Sequence, residues 1–519
     1  MRPCVVAWDP TAVVAVCSDV SVVVYPAGMA SDPHPLSAEV AYLGVDALVG
    51  RFEAGTLTSA GLLDILFARI AVVDEPAGDV GLGSIAALAE DARQVAVERD
   101  LERARGDIRG PLHGVPVLIK DNIEVTGLPG AAGSTCLVGR PATDATLVTR
   151  LREAGAVVVG STNLSEWANI RSERSTSGWS ATGGLVGNPW ALDRTAGGSS
   201  SGSGAALAAG LVPLAVGTET DGSIICPASV NGVVGLKPTV GCVPTDGVVP
   251  ISASQDSPGP MGRTVADVAR LFVALSGEDP VAIDDTSPRY VHATTWRTEH
   301  PPTDRLVDGF LNALGQCVGT VERRDVAVPG PEVVNDESVV LLAELVDDLG
   351  TYLAARPGEG VRSLADVVAW EDTNADVELP WFGHELFLQA LSTGGRSGDA
   401  YASARERNLE WAVSTCLTPA LDGADVLVAA AYGPAWKSDL IVGGHASVVS
   451  SWVTTPAAIA GWPIITVPIG LVHGLPVGLA LIARPGEEWT LLAAAAQVEL
   501  VVAATDPLPR PLWRRPVPG

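Results

Sequence analysis

The stretch GGSSSGSGAALAAGLVPLAVGTETDGS, residues 197–223, is the part of this chain that decides its fold. Its residue types predict a glycine-rich loop over 197–204, a helix over 205–209, a buried apolar strand over 211–216 and a second glycine loop that ends at Ser223. Glycine permits a tight turn that aims several backbone N–H groups at one point. The second loop therefore outlines an oxyanion hole beside a candidate nucleophilic serine.

Two other interpretations of the first loop are weaker. A glycine-rich turn before a helix suits a phosphate, but this one lacks the Lys-Ser/Thr ending of a P-loop. Residues 198–202 also match G-x-S-x-G, the nucleophile elbow of α/β-hydrolases, with His384, His445 and His473 as downstream candidates for a base. The elbow needs a buried strand immediately before it, whereas residues 188–195 are polar and contain a proline.

Lysine is the remaining candidate for the base, because no histidine lies near either serine loop in the sequence. Lys120 ends the apolar run GVPVLIK, residues 114–120, which we predict to be a buried strand. Burial would lower the pKa of a lysine from its ordinary value of about 10.4 and so make it a usable base. A single lysine at a strand end is otherwise an ordinary surface charge, so the hypothesis depends on the serine loops as well.

Three motifs in this order resemble the amidase signature family: GVPVLIKDN (114–122), TAGGSSSGS (195–203) and GTETDGSI (217–224). The two serines are 223 − 199 = 24 positions apart, which matches the family spacing. Further likeness extends the resemblance over most of the chain beyond about residue 105. It lies in NGVVGLKPT (231–239), SQDSPGPM (254–261) and AGWPIITVP (460–468).

The resemblance implies a Ser-Ser-Lys triad in which Ser223 attacks the carbonyl carbon, Ser199 bridges Ser223 to Lys120, and neutral Lys120 takes the proton. It also implies a cis peptide bond before Ser199. The implied oxyanion hole consists of the backbone N–H groups of Thr220, Asp221, Gly222 and Ser223. An acyl-serine intermediate would then be hydrolysed by water.

The residues within these motifs point to one branch of the family. Glu219 stands where many members have Asp, and Ile225 where many have Arg, which argues against the glutaminase subunit of tRNA amidotransferases. The run TETDGSI, with NLSEWAN at 163–169 and GWS at 178–180, is similar to the peptide amidase branch.

We therefore expect a serine amidase that hydrolyses a carboxamide to a carboxylate plus ammonia or an amine. The expected substrates are C-terminal amides of peptides or amino acid amides. Alternatives are an amidase of other small or aryl amides, and a glutaminase-type component of an amidotransferase. A silent binding protein of the same fold is disfavoured because Lys120, Ser199 and Ser223 are all intact.

For the fold, the resemblance implies one large α/β domain with a central, mixed, twisted sheet flanked by helices, and with the triad at one sheet edge under loops. We place this domain at residues 29–505, with core motifs in 114–262 and 458–500. The segment 280–434 lacks catalytic spacing, and we interpret it as the variable part that shapes the pocket.

Both ends of the chain are expected to lie outside that domain. Met29 is a candidate initiator, so residues 1–28 are interpreted as a flexible or non-native extension. Their apolar run, 11–24, is interrupted by Asp19, which makes a signal peptide a poor match but leaves secretion open. Residues 506–519 form a tail rich in proline and arginine.

The composition limits which binding partners and which cellular compartment are expected. Lys and Arg number 33 against 60 Asp and Glu, a formal charge of −27, so nucleic acid is not expected as a partner. The seven cysteines are scattered without a C-x-x-C pair, which favours reduced thiols in a cytoplasmic protein. No metal-ligand spacing, no required organic cofactor and no membrane-spanning run is recognised, and the sequence leaves the oligomeric state undecided.

Overall fold

A computed structural model describes residues 6–9, 12–15, 38–74, 81–279, 288–443, 448–505 and 507–511. The predictions for Met29 and for the end of the tail, residues 512–519, lie outside these ranges. The strands in the described ranges are β1 Val6–Asp9, β2 Ala12–Ala15, β3 Ile85–Leu88, β4 Pro116–Lys120, β5 Val157–Thr162, β6 Trp179–Ser180, β7 Gly184–Leu185, β8 Gly187–Asn188, β9 Ala191–Thr195, β10 Leu214–Glu219, β11 Val234–Lys237, β12 Ser257–Gly262, β13 Tyr290–Ala293, β14 Val321–Arg324, β15 Val426–Ala430, β16 Ile464–Val472 and β17 Leu475–Ile482.

Helices surround these strands. The α-helices are α1 Ala38–Ala41, α2 Val45–Glu53, α3 Ser59–Val73, α4 Ala92–Arg105, α5 Thr146–Glu153, α6 Ser201–Ala208, α7 Ile225–Asn231, α8 Val265–Ser276, α9 Pro301–Val318, α10 Pro331–Ala355, α11 Leu364–Thr373, α12 Ala375–Glu378, α13 Glu385–Thr393, α14 Tyr401–Leu409, α15 Thr418–Ala420, α16 Thr454–Ala460 and α17 Glu488–Thr505. Short 3₁₀ turns occupy Thr135–Leu137, Glu166–Asn169 and Gly395–Ser397, and a π-helical segment, Glu410–Leu417, follows α14.

Within the described residues, eleven strands form one mixed sheet in the order β14-β13-β15-β17-β16-β11-β12-β10-β4-β5-β3. β10, β4 and β5 run parallel to one another, as do β14, β13 and β15, and the remaining neighbours are antiparallel. The prediction of one α/β domain with a central mixed sheet flanked by helices is confirmed.

The parallel strands explain the continuous apolar runs in the sequence. Every residue of β4, β5 and β10 is buried. Helices cover a parallel sheet on both faces, so its strands need apolar residues on both faces rather than in alternation. The largest hydrophobic cluster includes residues from the sheet, from α8 and from α17.

One predicted helix is absent. The sequence STNLSEW, residues 161–167, predicts a capped helix start, but β5 continues to Thr162 and a turn follows. Trp167, Ala168 and Asn169 have φ values of 48°, 53° and 74° in that turn. The Trp167 N–H donates to Ala132 O at 2.9 Å, so a distant segment takes the hydrogen bond that a helix would use. Tertiary contacts have overridden the local helical pattern here.

The expected location of the triad at a sheet edge also needs correction. Lys120 is the last residue of β4, and Ser223 lies just beyond the end of β10. These two strands are adjacent, and β5 and β3 lie between β4 and the nearer edge of the sheet. The site therefore lies over the carboxyl ends of inner strands, where parallel strands of an α/β sheet commonly carry their ligands.

The segment 280–434 contributes to the sheet as well as to its cover. Its sequence pattern predicts helices and irregular structure, yet β13, β14 and β15 extend the central sheet on one side. These strands have only four or five residues, which is too short for a clear sequence pattern. The helices between them form a separate layer in which α10 packs against α13 and α14.

The two ends of the described chain differ in their contacts. β1 and β2 pair only with each other among the described strands. At the other end, Leu508 packs against the main hydrophobic cluster and the Arg510 guanidinium lies 4.5 Å from the centre of the Tyr42 ring.

Across the described residues, α17 alone has the length and apolar character of a membrane span, and most of it is buried against the rest of the molecule.

Candidate active site

The three residues of the predicted triad come from three separate loops or strand ends. Lys120 ends β4, Ser199 lies in the glycine-rich loop before α6, and Ser223 lies between β10 and α7. Lys120 Nζ donates a hydrogen bond to Ser199 Oγ at 2.7 Å. The Ser200 N–H donates to Ser223 O at 3.1 Å and ties the two serine loops together.

Lys120 is fully buried and surrounded by oxygen acceptors. Its Nζ also contacts Thr218 Oγ1 at 2.8 Å and Thr218 O at 3.2 Å. Burial lowers the pKa of Lys120 to about 7, while the negative charges of Asp256 and Glu219 act in the opposite direction. A substantial fraction of this lysine is therefore neutral near pH 7 and able to accept a proton.

Ser199 is fully buried and held by its backbone. The peptide bond between Gly198 and Ser199 is cis, as the resemblance implies. Ser199 O accepts a hydrogen bond from the Ser165 N–H at 3.1 Å. A Cβ atom at position 198 would overlap Ser165 Oγ, so only glycine fits before Ser199.

Ser223 is the most accessible of the three side chains, with 8% of the residue exposed. No side-chain hydrogen bond joins Ser223 to Ser199 or to any other residue that the structure describes. The hydrogen bond between Ser199 and Lys120 is therefore formed in this structure, whereas the hydrogen bond between Ser223 and Ser199 that the relay needs is not. An oxygen without a protein partner at the end of a buried relay is the atom best placed to meet a substrate.

The second glycine loop leaves its backbone donors open. In the described part of the chain, the N–H groups of Asp221, Gly222 and Ser223 donate no hydrogen bond. Gly222 has a φ of 80°, and a Cβ atom there would lie 2.6 Å from Tyr432 Oη. Three successive free donors before and at a serine are the arrangement expected of an oxyanion hole.

Hydrogen bonds to two acidic side chains fix the position of this loop. Glu219 Oε2 accepts from the N–H groups of Ile224 and Ile225 at 2.7 and 2.9 Å, which fixes the chain directly after Ser223. Burial raises the pKa of the Glu219 carboxyl. Asp221 Oδ2 accepts from Thr455 Oγ1 at 2.8 Å, so the Asp221 side chain also fastens the loop to α16.

Sequence reasoning missed three neighbours of the triad. Thr218 accepts from Lys120, Asn122 Nδ2 donates to Thr218 Oγ1 at 3.0 Å, and Asp256 accepts from Thr220 Oγ1 at 2.5 Å. Thr218 and Asn122 lie inside the motifs that contain the triad, close to its members, so their position was the available signal. Asp256 lies in SQDSPGPM, which matched the family without a stated role.

The structure argues against the nucleophile elbow. A short strand, β9, precedes the first loop, but its three middle residues are only half-buried and it pairs with β8 outside the central sheet, so the buried strand that an elbow needs is missing. Ser200, the central serine of G-x-S-x-G, is fully buried, and its Oγ donates to Thr218 O at 3.1 Å. His384 is engaged with Glu371 at 2.8 Å. His445 lies outside the described residues.

Buried cysteines offer no alternative nucleophile. Burial raises the pKa of the thiols of Cys136, Cys226 and Cys416 to about 12. A thiolate is the reactive form of cysteine, so these thiols are inert near neutral pH.

Three glutamates that are far apart in sequence form a buried acidic cluster. Carboxylate oxygens of Glu166, Glu371 and Glu378 lie within 4.8 Å of one another. Arg171 Nη1 lies 3.0 Å from Glu166 Oε1, and His384 Nδ1 contacts Glu371. Such a cluster could hold a cation by its donor atoms alone, but Arg171 already supplies a positive partner and His384 already contacts Glu371.

Comparison with known proteins agrees with this geometry. The model of the Amidase family matches residues 66–492 of this chain. A probable amidase of Arabidopsis thaliana is 37% identical over 71% of this chain and 73% of its own length. A glutamyl-tRNA(Gln) amidotransferase component of Symbiobacterium thermophilum is 34% identical over 86% of this chain and 93% of its own.

Solved structures extend the comparison to the fold. The native peptide amidase of Stenotrophomonas maltophilia superposes with a TM-score of 0.83 and 38% identity over 92% of this chain and 99% of its own. The fold and the arrangement of two serines and a lysine define a hydrolase that acts on amides. The chain belongs to the amidase signature family.

Proposed function

We propose that this protein hydrolyses carboxamides to carboxylates and ammonia through an acyl intermediate on Ser223, and that its substrates are C-terminal amides of peptides or amino acid amides. The observation that carries the proposal is the 2.7 Å hydrogen bond between Lys120 Nζ and Ser199 Oγ, two fully buried groups whose loop also contacts that of Ser223, which is 8% exposed. A lysine with a pKa near 7 supplies the base that a serine without a histidine needs.

In this mechanism Ser223 Oγ attacks the carbonyl carbon while its proton moves to Ser199, whose own proton moves to neutral Lys120. The tetrahedral oxyanion is stabilised by the free N–H groups of the second glycine loop. Each such donor typically contributes about 3 kcal/mol to an acyl-transfer transition state. The relay then returns a proton to the nitrogen, the C–N bond breaks, and ammonia leaves.

Water completes the cycle. It attacks the acyl-serine ester and gives its proton through Ser199 to Lys120. Collapse of the second tetrahedral intermediate releases the carboxylate and restores the Ser223 hydroxyl. The same groups act in both halves of the reaction, because deacylation is the reverse of acylation with water in place of ammonia.

The substrate class is supported by the relation to the peptide amidase, which spans nearly the whole of both chains. The sequence NLSEWAN, residues 163–169, and the departures at Glu219 and Ile225 favour the same branch. Amides of other small or aryl groups are the alternative. A glutaminase role is a second one, since tRNA amidotransferase components are also among the relatives.

Ammonia release from matched amides tests this function. The panel contains a dipeptide amide, an N-acylated amino acid amide and glutamine, with aniline release from an anilide measured in parallel. We expect rapid release from the first two and none from glutamine. Activity confined to glutamine or to the anilide would overturn the proposed substrate.

The nucleophile is tested on the same substrates. Ser223→Ala is expected to abolish turnover, a loss of at least about 10³-fold. A phenylmethylsulfonyl fluoride-type reagent should label Ser223, which a digest and mass spectrometry would locate. Labelling at Ser200, or full activity in Ser223→Ala, would contradict the assignment.

A further inference from the structure

Asp256 connects the second glycine loop to a neighbouring loop and takes no part in the proton relay. Its Oδ1 accepts from Thr220 Oγ1 at 2.5 Å, and its Oδ2 accepts from the N–H groups of Ile251 and Ser252 at 2.8 and 2.9 Å. Thr220 directly precedes the three N–H groups that donate no hydrogen bond among the described residues. One carboxyl group therefore holds two separate segments together next to the oxyanion donors.

The neighbouring loop, residues 251–256, is itself attached to α10. Glu344 Oε2 accepts from Ser252 Oγ at 2.6 Å, and Asp348 Oδ2 accepts from the Ala253 N–H at 2.8 Å. Both acids lie on one helix of 25 residues, which is a rigid element. The loop and the aspartate at its end therefore have a firm support that does not involve the glycine loop.

Asp256 also acts on the catalytic lysine through its charge. Burial lowers the pKa of Lys120 to about 7, and among the charges that act in the opposite direction Asp256 has the largest effect, followed by Glu219. Burial raises the pKa of Asp256 itself to about 6, and the negative charge of Asp348 on α10 acts in the same direction. The carboxyl group is therefore ionised at the pH at which Lys120 loses its proton.

We propose that Asp256 is a positioning residue for amide hydrolysis, which holds Thr220 and the adjoining N–H donors where the oxyanion on the carbonyl carbon forms. The inference rests on the proposed function and adds a residue that acts through Thr220. The oxyanion exists only in the transition state and the tetrahedral intermediate, so displaced donors lower kcat and leave KM nearly unchanged. Loss of the negative charge also favours the neutral form of Lys120, which moves the pH dependence to lower pH.

Asp256→Asn tests both effects in one protein. Asparagine keeps the size of the side chain but loses the charge, and its NH₂ group cannot accept a hydrogen bond. On the alkaline plateau of the pH profile we expect kcat on a peptide amide to fall about tenfold or more at an unchanged KM. The midpoint of the profile of kcat/KM should move to lower pH, which a smaller amount of folded enzyme would not cause. An unchanged kcat, or a fall in kcat with an unmoved midpoint, would overturn the inference.

Thr220 supplies a smaller change if Asp256→Asn does not fold. Thr220→Val keeps the branched shape and removes the hydroxyl donor, whereas Thr220→Ser keeps the donor, so we expect kcat to be about tenfold lower in the valine variant than in the serine variant. Thr146 Oγ1 also donates to an aspartate, Asp246 Oδ2 at 2.6 Å, but on the surface. Thr146→Val is therefore the matched control and should keep the wild-type kcat. Equal kcat values for the two Thr220 variants would overturn the inference.

Labelling of Ser223 by a phenylmethylsulfonyl fluoride-type reagent separates this inference from the proposed substrate. The reaction uses the same relay and the same N–H donors but needs no amide. Well above the midpoints of both pH profiles, we expect Asp256→Asn to be labelled about tenfold more slowly than the wild type. That result with a wild type that cleaves none of the amides would remove the proposed function alone. Equal labelling rates would overturn the role of Asp256 and leave amide hydrolysis standing.

Discussion

At the scale of single residues, the burial of Lys120 determines how the site responds to pH. A lysine in water is almost wholly charged at pH 7, and a charged lysine cannot accept the proton of a serine. Inside β4 the loss of water lowers its pKa to about 7, and the hydroxyl and carbonyl oxygens of Thr218 orient the amine.

The first prediction concerns that pKa. Lys120 is active when neutral, so kcat/KM should rise about tenfold per pH unit below pH 7 and level off above it. The measurement is a pH profile of kcat/KM on a peptide amide between about pH 5 and pH 9. A profile that is flat across the neutral range would contradict the role of Lys120 as the base.

The second prediction separates two adjacent buried serines. Ser199 contacts Lys120 Nζ, whereas Ser200 donates to the Thr218 backbone. Ser199→Ala should lower kcat by about 10²–10⁴-fold because it breaks the proton relay, and Ser200→Ala should cost much less. Steady-state kinetics of both variants on one substrate make the comparison, and equal losses would place the relay elsewhere.

At the scale of elements, the glycine loop after β10 determines where the oxyanion can be held. Gly222 adopts a φ of 80° and packs directly against Tyr432, which lies in the segment before α16. Glu219 fixes the start of α7 from the other side. The donors of this loop are therefore positioned before a substrate arrives.

The third prediction tests that loop. Gly222→Ala should lower kcat by about 10²-fold or more, because the new Cβ atom would lie 2.6 Å from Tyr432 Oη and displace the N–H donors. Gly241→Ala is the matched control: its φ is 87°, but no atom lies within 4 Å of the new Cβ. Similar kcat values for the two variants would contradict a preorganised oxyanion hole.

At the scale of the whole molecule, Arg171 joins the core of the domain to its variable layer. It contacts Glu166 at the start of the turn 166–169, donates to Glu378 O at the end of α12, and lies 4.5 Å from the centre of the Phe382 ring. Burial raises the pKa of Glu166 and of Glu371, and the positive charge of Arg171 acts in the opposite direction on both.

The fourth prediction tests how much the folded state depends on Arg171. Arg171→Met should lower the free energy of unfolding by about 3–5 kcal/mol, because it leaves buried carboxylates without their cation. Arg93→Met, which breaks an exposed pair with Asp64, should cost at most about 1 kcal/mol. Urea denaturation of both variants gives the comparison, and equal effects would show that Arg171 is not required for stability.

The predictability of the fold varies with the kind of signal. The apolar runs that became β4 and β10 were recognisable because strands buried on both faces need apolar residues throughout. Their ends moved by a few residues: β10 begins at Leu214 rather than at Leu211, since pairing with neighbours determines where a strand starts. The turn at Trp167 was predicted as a helix because its deciding hydrogen bond goes to Ala132, in a distant segment of the chain.

The sequence by itself determined the chemistry offered: two glycine loops with serines, a lysine at the end of an apolar strand, and a family in which these residues act together. Their types and spacings are local properties that a chain carries whether or not it is folded. The tertiary structure alone decided the rest. Parallel pairing of β4 with β10 brings Lys120 to Thr218, burial lowers its pKa, and separate segments form the Arg171 cluster, because proximity and loss of water depend on residues far apart in the chain.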